Sequence, residues 1–222
     1  MHNWFVFAEF KQASVAAADF LALQIEQSLQ QRDVCHVILP GGNTPGECLY
    51  YLSQKDLPWE KLHWYPGDER CFPVGHAERN DTMLEKHLWS HLPKTNIHPM
   101  PAELGAADAA RLYAELISGI EKFDIAFLGM GEDGHTASLF PGNVALDDVH
   151  PVVPVYNSPK APSDRVSFSL ATLKKSRSRM VLTGGSAKAD ILLQIKEGSP
   201  LPINCVGDIN WFVDEAALSV TD

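Results

Sequence analysis

Asp133 and His135 lie in the part of the sequence that is best suited to acid–base chemistry. They are set among Gly129, Gly131 and Gly134, directly after an apolar run at residues 125–130 that predicts a buried parallel strand. Glycines permit sharp turns and expose backbone amides, and ligands bind beyond the carboxyl ends of parallel strands. Histidine titrates near neutral pH. The segment predicts proton transfer by His135; the alternative is a polar loop whose histidine caps a neighbouring helix.

A second glycine segment, P-G-G-N-T-P at residues 40–45, lies between a predicted strand and a predicted helix. Free amides and a helix N-terminus both favour a bound anion. We expect Thr44 to cap that helix and Pro45 to occupy its first position. The segment matches neither the Walker pattern nor G-x-G-x-x-G. It therefore predicts a phosphate cradle, with a tight structural turn as the alternative.

Charged side chains follow three other predicted strands. Residues 68–70 (D-E-R) form one cluster, Lys160 and Arg165 lie in a proline-punctuated loop, and Lys188 follows a Gly-Gly pair in the first turn of a predicted helix. A lysine in that position opposes the helix dipole, which favours a functional role such as binding an anion. The alternatives are a solvated loop at residues 68–70 and a solvent-facing Lys188.

Strands alternate with helices, which predicts an α/β fold with a mostly parallel sheet. Predicted strands cover residues 4–7, 34–39, 62–65, 125–130, 152–156, 166–170, 180–183 and 203–206. Predicted helices cover residues 12–31, 45–52, 80–92, 106–120 and 171–177, a segment after residue 188, and a last one from residue 214. Loops that follow parallel strands gather at one edge of a sheet, so we expect one shared pocket. We also expect residues 1–222 to form a single domain.

Composition restricts the classes of partner. The net charge of −10 over 222 residues argues against a nucleic-acid-binding protein, and an anionic substrate would need a local positive pocket. We expect no membrane segment, because no apolar run is long enough, and no signal peptide, because residues 1–10 lack a basic start. The four cysteines are scattered, so we expect reduced thiols in a cytoplasmic protein.

The motifs together resemble those of the 6-phosphogluconolactonase family. L-G-M-G-E-D-G-H-T-A-S-L-F-P-G at residues 128–142 resembles the family's hallmark, and P-G-G-N-T-P resembles its glycine loop. D-E-R with Asn80 downstream is similar to a further motif, as are P-K-A-P-S-D-R-V-S at residues 159–167 and T-G-G-S-A-K-A at residues 183–189. The resemblance covers nearly the whole chain in the right order.

The resemblance implies a Rossmann-like fold with helices on both faces, shared with glucosamine-6-phosphate deaminases and related to ribose-5-phosphate isomerases. It implies hydrolysis of 6-phosphoglucono-δ-lactone to 6-phosphogluconate in the oxidative pentose phosphate pathway, with no cofactor and no metal. His135 is then the general base and Asp133 its support. The implied substrate-binding residues are Gly41, Gly42, Asn43, Thr44, Asp68, Arg70, Asn80, Arg165 and Lys188. We expect a monomer or small homo-oligomer.

Two residues depart from the family pattern. Pro40 and Arg79 stand where serine is usual, which affects the expected phosphate and sugar contacts. The rest of the sequence fits lactone opening: no G-x-S-x-G elbow supplies a serine nucleophile, and the other histidines lack H-E-x-x-H spacing.

Two other functions compete with this interpretation. A sugar-phosphate isomerase or deaminase could use the same scaffold, but its loop resembles D-G-H-I-A-F-N-E-P, whereas residues 133–141 read D-G-H-T-A-S-L-F-P without the glutamate. A non-catalytic sugar-phosphate sensor is the third possibility. Turnover of the lactone, release of ammonia, or binding without turnover separates the three.

Overall fold

The computed structural model describes residues 2–92 and 96–219, and its centre is a six-stranded parallel sheet with strand order β1-β9-β8-β5-β2-β3. Every hydrogen-bonded pair in this sheet is parallel. The strands are β1 Asn3–Phe7, β2 Cys35–Leu39, β3 Leu62–Pro66, β5 Ile125–Leu128, β8 Ser178–Thr183 and β9 Asn210–Asp214. The predicted α/β class with a mostly parallel sheet is confirmed.

A second, antiparallel sheet of three short strands adjoins the large one, in the order β4-β7-β6. Its strands are β4 Asp68–Arg70, β6 Val152–Val155 and β7 Arg165–Phe168. Only Gly67 separates β4 from β3, so the chain passes directly from the large sheet into the small one. The prediction of a loop at residues 68–70 is therefore wrong, because these residues pair with β7 in the register Asp68↔Ser167 and Arg70↔Arg165.

Helices and the small sheet cover the two faces of the large sheet. The helices are α1 Phe10–Leu29, α2 Gly46–Ser53, α3 Asn80–His87, α4 Ala106–Leu116, α5 Leu170–Lys175, α6 Ala189–Lys196 and α7 Pro202–Cys205. In β5, Phe127 points into the core beneath α1 and α2, and Ala126 into the core beneath α4, α6 and the small sheet. Alternating side chains of one strand thus enter two cores, which explains its continuous apolar run.

Three predicted element assignments are wrong. The last helix was expected from residue 214, but Asp214 ends β9 and only a 3-10 turn at Ala216–Leu218 follows. Residues 203–206 were expected to form a strand, but α7 occupies this region, with Pro202 at its first position, where proline is favourable. Thr44 was expected to cap α2, but Pro45 is the N-cap residue and the helix begins at Gly46. None of these errors moves the loops that follow β2, β3, β5 and β8, which all lie at the carboxyl edge of the large sheet.

Within the described ranges, no helix combines the length and the apolar character needed to cross a bilayer. Nor do these ranges hold a group of three or more histidine, cysteine, aspartate or glutamate side chains arranged to hold a metal ion.

Three histidines pack together on the outer strands of the large sheet, away from its carboxyl edge. His63 Nδ1 lies 3.0 Å from His98 Nε2, and their rings stack with centroids 5.3 Å apart. His36 lies beside His63 in the β2–β3 register and bonds Tyr65 through Nδ1 at 3.0 Å. Burial, together with the neighbouring imidazoles, lowers the pKa of His98 to about 4, and burial lowers the pKa of His36 and His63. The cluster is therefore neutral at pH 7.

We expect this histidine cluster to make the fold acid-sensitive. A histidine whose folded pKa lies below its unfolded value of about 6.5 contributes stability above that value and loses it as pH falls through the folded pKa. The free energy of unfolding should therefore drop by about 2–3 kcal/mol between pH 7 and pH 4 through His98. Denaturant unfolding of wild type, His98→Gln and the exposed-site control His91→Gln checks this. A pH slope that His98→Gln retains in full would contradict it.

Candidate active site

His135 and Asp133 form a hydrogen-bonded pair in the glycine loop after β5. His135 Nδ1 lies 2.5 Å from Asp133 Oδ1, and the His135 amide donates to the same oxygen at 3.2 Å. A carboxylate only accepts, so Nδ1 carries the proton and Nε2 is the unprotonated nitrogen. Burial tends to raise the pKa of Asp133, but the hydrogen bond and charge of His135 lower it below its usual value. The pair thus presents a base held in one tautomer.

A cavity of about 230 Å³ opens at the carboxyl edge of the large sheet. The segments after β2, β3, β5 and β8 contribute to its wall, as does the β6–β7 connection that carries Lys160 and Arg165. The predicted site residues that line it are Gly41, Gly42, Thr44, Asp68, Arg70, Asn80, His135, Arg165 and Lys188. Asp133 reaches the cavity only through His135, and Asn43 is absent from the lining. The structure thus brings loops that are distant in sequence together at one pocket.

The glycine loop after β2 contributes Gly41, Gly42 and Thr44 to the cavity wall. In the described part of the chain, the amides of Gly41, Gly42 and Asn43 donate to no protein acceptor. Gly42 has φ +84°, a conformation that favours glycine. A Cβ on Gly41 would lie 1.9 Å from Asn80 Oδ1, so only glycine fits between β2 and α3. Unpaired amides at the start of a helix are suited to an anion.

Asp68 and Asn80 form a buried network in one wall of the cavity. Asp68 Oδ2 accepts a hydrogen bond from Ser138 Oγ at 2.5 Å, and Asp68 Oδ1 accepts one from Asn80 Nδ2 at 3.0 Å. Ser138 follows His135 by three residues, so the network joins the histidine loop to the small sheet. Sequence reasoning missed Ser138, because a serine in a loop carries no distinctive spacing.

Glu69 anchors the backbone of two cavity residues from below. Its fully buried carboxylate accepts hydrogen bonds from the amides of Arg70, Asn80 and Asp81 at 2.8, 2.7 and 2.8 Å. These contacts tie β4 to the first turn of α3. Arg70 and Asn80 therefore face the cavity from a fixed frame. The predicted alternative of a solvated loop at residues 68–70 is excluded, because the Glu69 side chain has no exposed surface.

Lys188 approaches the histidine loop from the neighbouring strand. It is the N-cap of α6, at the end of a 3-10 turn at Ser186–Lys188, rather than a residue of the first helical turn as predicted. Its Nζ donates to the Met130 carbonyl at 3.1 Å. Burial lowers the pKa of Lys188, and the charge of Lys160 adds to this effect, whereas the carboxylates of Glu132 and Asp133 oppose it. Asp214 fixes the turn by accepting from the Gly185 amide at 2.9 Å.

Phe140 connects His135 to the cation at the small sheet. The His135 and Phe140 rings have centroids 4.5 Å apart, and the Arg165 guanidinium carbon lies 5.5 Å from the centroid of the same Phe140 ring. His135, Arg165 and Lys188 all line the same cavity. Phe140 was not predicted, since an aromatic residue in a loop indicates packing more often than function.

The two departures from the family pattern have different structural settings. Pro40 lines the cavity and packs near Gly129, where a Cβ would lie 3.6 Å from Pro40 Cβ. Arg79 is buried outside the cavity lining, where its guanidinium pairs with Asp81 at 2.6 Å and with Glu103 at 3.2 Å. Arg79 is thus a structural residue behind Asn80, and only Pro40 affects the cavity wall directly.

Comparisons with known proteins agree with this geometry. The profile of the family described as glucosamine-6-phosphate isomerases/6-phosphogluconolactonase matches residues 9–212. A 6-phosphogluconolactonase from Mycobacterium leprae is 32% identical, over 96% of this chain and 95% of that protein. The crystal structure of a Thermotoga maritima 6-phosphogluconolactonase superimposes with a TM-score of 0.90 at 27% identity, covering 97% of this chain and 100% of that one.

A monomeric glucosamine-6-phosphate deaminase also shares the fold, with a TM-score of 0.85 at 18% identity, over 98% of this chain and 100% of that one. At that identity the likeness concerns the fold alone. The profile match and the 32% identity to the mycobacterial protein also show common ancestry. The chain therefore belongs to the glucosamine-6-phosphate isomerase/6-phosphogluconolactonase family, and its relatives include proteins named 6-phosphogluconolactonase.

Proposed function

We propose that this protein hydrolyses 6-phospho-D-glucono-1,5-lactone to 6-phospho-D-gluconate, as a step of the oxidative pentose phosphate pathway. The observation that carries the proposal is the His135–Asp133 pair, whose histidine lines a cavity that is also lined by Lys188, Gly41 and Gly42. The histidine base suits a neutral lactone carbonyl, and the neighbouring anion-binding groups suit a phosphate on the same molecule.

His135 supplies the base that lactone opening requires. Its Nε2 takes a proton from water as the water oxygen bonds to the lactone carbonyl carbon, and the carbonyl oxygen becomes an oxyanion. Asp133 holds the imidazole through Nδ1 and stabilises its charged form. The tetrahedral intermediate then collapses, the bond from the carbonyl carbon to the ring oxygen breaks, and His135 returns the proton to that oxygen. The ring is open and the base is regenerated.

Donors at the cavity wall bind two anionic groups, the oxyanion that forms in the reaction and the phosphate of the substrate. Backbone amides and the Arg70 guanidinium are groups that stabilise a developing oxyanion. Lys188 and the glycine loop serve the phosphate, which carries two negative charges. Asp68 and Asn80 form the wall that faces the sugar hydroxyls. Asn43 does not contact the substrate in this mechanism, because it lies outside the cavity lining.

The experiment that tests the proposal is a pair of assays on the purified protein. Acid release from freshly generated 6-phosphogluconolactone should exceed the uncatalysed rate by several orders of magnitude. Release of ammonia from glucosamine 6-phosphate would favour the deaminase function instead. Tight binding of 6-phosphogluconate, with lactone hydrolysis at its uncatalysed rate, would favour a sensor.

Replacing Lys188 with alanine should mainly weaken substrate binding. A lost hydrogen bond to a charged group corresponds to a rise in KM of about tenfold or more, with a small change in kcat. Steady-state kinetics on the phosphorylated lactone measures both constants, and Lys175→Ala, an exposed lysine at the end of α5, removes the same charge away from the cavity. A fall in kcat at constant KM would instead give Lys188 a role in the chemical step.

We also propose a cytoplasmic location and a monomeric or small homo-oligomeric state. All four cysteines are free thiols, and Cys35 and Cys48 are buried, which is usual for reduced proteins. The net charge of −10 supports the absence of nucleic-acid partners. Light scattering of the purified protein measures its assembly state.

A further inference from the structure

The turn that carries Lys188 (residues 184–188, the lysine turn) connects two parts of the cavity wall. Thr183 ends β8 and lines the cavity, as does Lys188 at the other end of the turn. Gly185 has φ +86°, and the Lys188 amide donates to its carbonyl at 3.0 Å. Lys188 Nζ then reaches the carbonyl of Met130, another residue of the cavity wall. The place of Lys188 therefore depends on how the lysine turn is held.

Asp214 holds the lysine turn from the neighbouring strand. It is the last residue of β9, which pairs with β8, and its side chain is buried. Asp214 Oδ1 accepts hydrogen bonds from the amides of Gly185 at 2.9 Å and Ala217 at 2.8 Å, and Oδ2 lies 3.1 Å from the same Gly185 nitrogen. These amides offset the cost of burying the carboxylate. One side chain thus joins the lysine turn to the 3-10 turn Ala216–Leu218.

Gly184 shows how closely the lysine turn packs against this carboxylate. A Cβ at this position would lie 2.8 Å from Asp214 Oδ2 and 2.3 Å from Cδ2 of Phe10, the first residue of α1. Both distances are far below van der Waals contact, so the carboxylate and the ring leave room for glycine alone. The lysine turn is therefore seated against β9 and α1, and its place does not depend on its own backbone bonds alone.

The bond to Gly185 is separate from the local role of Asp214. The Ala217 amide closes the turn that follows β9, three residues after Asp214, and it uses Oδ1. The Gly185 amide belongs to a segment 29 residues earlier in the chain. A carboxylate that only closed the local turn would affect stability alone. One that also seats the lysine turn would affect the binding of whatever Lys188 binds.

We propose that Asp214 is a positioning residue for phosphate binding, because its carboxylate holds the lysine turn where Lys188 reaches the cavity. This inference rests on the proposed function, in which Lys188 binds the phosphate of the lactone. Asp214 itself lies outside the cavity lining, so it acts through the Gly185 amide and not by touching the substrate. Its loss should weaken binding of the phosphorylated substrate and leave the His135 base in place.

Steady-state kinetics and calorimetry of Asp214→Ala test this role. KM for 6-phosphogluconolactone and Kd for 6-phosphogluconate should both rise about tenfold or more, as for a lost charged hydrogen bond, with a small change in kcat. Asp214→Asn keeps an acceptor oxygen for the Gly185 amide and should retain both constants near their wild-type values. Wild-type KM and Kd in a folded Asp214→Ala overturn the inference, and so does an Asp214→Asn variant as impaired as Asp214→Ala.

Asp124 provides the matched control, because it is another buried carboxylate that accepts a backbone amide from a different strand. It directly precedes β5 and accepts the His36 amide at 2.8 Å, at the opposite edge of the large sheet. Asp124→Ala should lower thermal stability and leave KM and Kd at their wild-type values. An equal rise of KM in Asp124→Ala would show that general loosening of the fold is sufficient, which overturns the assignment to Asp214.

A double-variant cycle tests whether Asp214 acts through Lys188. Asp214→Ala should raise KM in the wild-type background and add little in the Lys188→Ala background. Losses that add in full would mean that Asp214 acts by another route, which overturns the inference. Should Asp214→Ala fail to fold, Gly184→Ala displaces the lysine turn from the carboxylate and should show the same dependence on Lys188. Wild-type KM in Gly184→Ala overturns the inference as well.

These results remain distinct from a failure of the proposed function. If wild type does not hydrolyse 6-phosphogluconolactone, the proposed function is wrong before any variant is compared. If wild type hydrolyses it and Asp214→Ala keeps the wild-type KM, only the positioning role of Asp214 is wrong.

Discussion

Replacing His135 with alanine should lower kcat for the phosphorylated lactone by about 10²–10⁴-fold and change KM little. That range is the usual contribution of a positioned general base, and His135 Nε2 is the unprotonated nitrogen of the pair with Asp133. Phosphate contacts come from other loops, so binding should persist. Steady-state kinetics, with the uncatalysed hydrolysis subtracted, measures the effect, and circular dichroism checks that the variant is folded.

The chain offers a matched control for this experiment. His150 pairs with Asp148 through the same Asp-x-His spacing, with Nδ1 2.7 Å from Oδ1, but its side chain is 78% exposed and lies outside the cavity that His135 lines. His150→Ala should therefore retain wild-type kcat. An unchanged kcat in His135→Ala would remove His135 from the mechanism. The comparison also tests what makes His135 a base in the reaction. Both histidines have an Asp–His hydrogen bond, but only His135 lines the cavity.

The large sheet could be predicted because its strands carry a strong and simple signal. Residues 125–128 are apolar throughout, and all four are buried between two cores. The small sheet carries no such signal. Its strand β4 is only D-E-R, whose burial depends on partners in β7 that lie almost a hundred residues away. Tertiary pairing therefore decided the structure of this segment against its local polarity.

Short apolar segments were the other source of error. The region around Ile203 and Val206 contains β-branched residues, which favour a strand, but a segment this short does not distinguish helix from strand by periodicity. Pro202 was the overlooked signal, because proline is favourable at the first helical position. The resulting helix supports the loop that carries His135: the Ile203 amide donates to the Gly134 carbonyl at 3.1 Å.

The candidate site was predictable as a set of loops but not as a set of contacts. Glycines and charged residues after strands identified most of the cavity wall. The sequence could not show that the donors of Arg165 are engaged by backbone carbonyls of its own loop. It also could not show why particular glycines are required.

Gly131 illustrates this last point and leads to the second large expected effect. A Cβ at this position would lie 2.0 Å from His135 Nδ1 and 2.6 Å from Asp133 Oδ1. These distances are far below van der Waals contact, so Gly131→Ala must displace the imidazole, the carboxylate or both. Because misplacement of a catalytic group by about 1 Å can cost roughly 100-fold, we expect kcat to fall about 100-fold or more.

Gly119→Ala is the control for this substitution. Gly119 lacks the left-handed backbone conformation, and a Cβ there would meet no atom within 4 Å, so activity and thermal stability should remain at wild-type values. In Gly131→Ala, activity should fall much more than thermal stability, because the crowded atoms belong to a loop whose backbone is closed by the Gly131 amide and the His135 carbonyl at 2.9 Å. Wild-type kcat in Gly131→Ala would mean that the hydrogen bond between His135 and Asp133 is not needed for catalysis. The glycine at 131 thus tests the pair's geometry without removing either of its members.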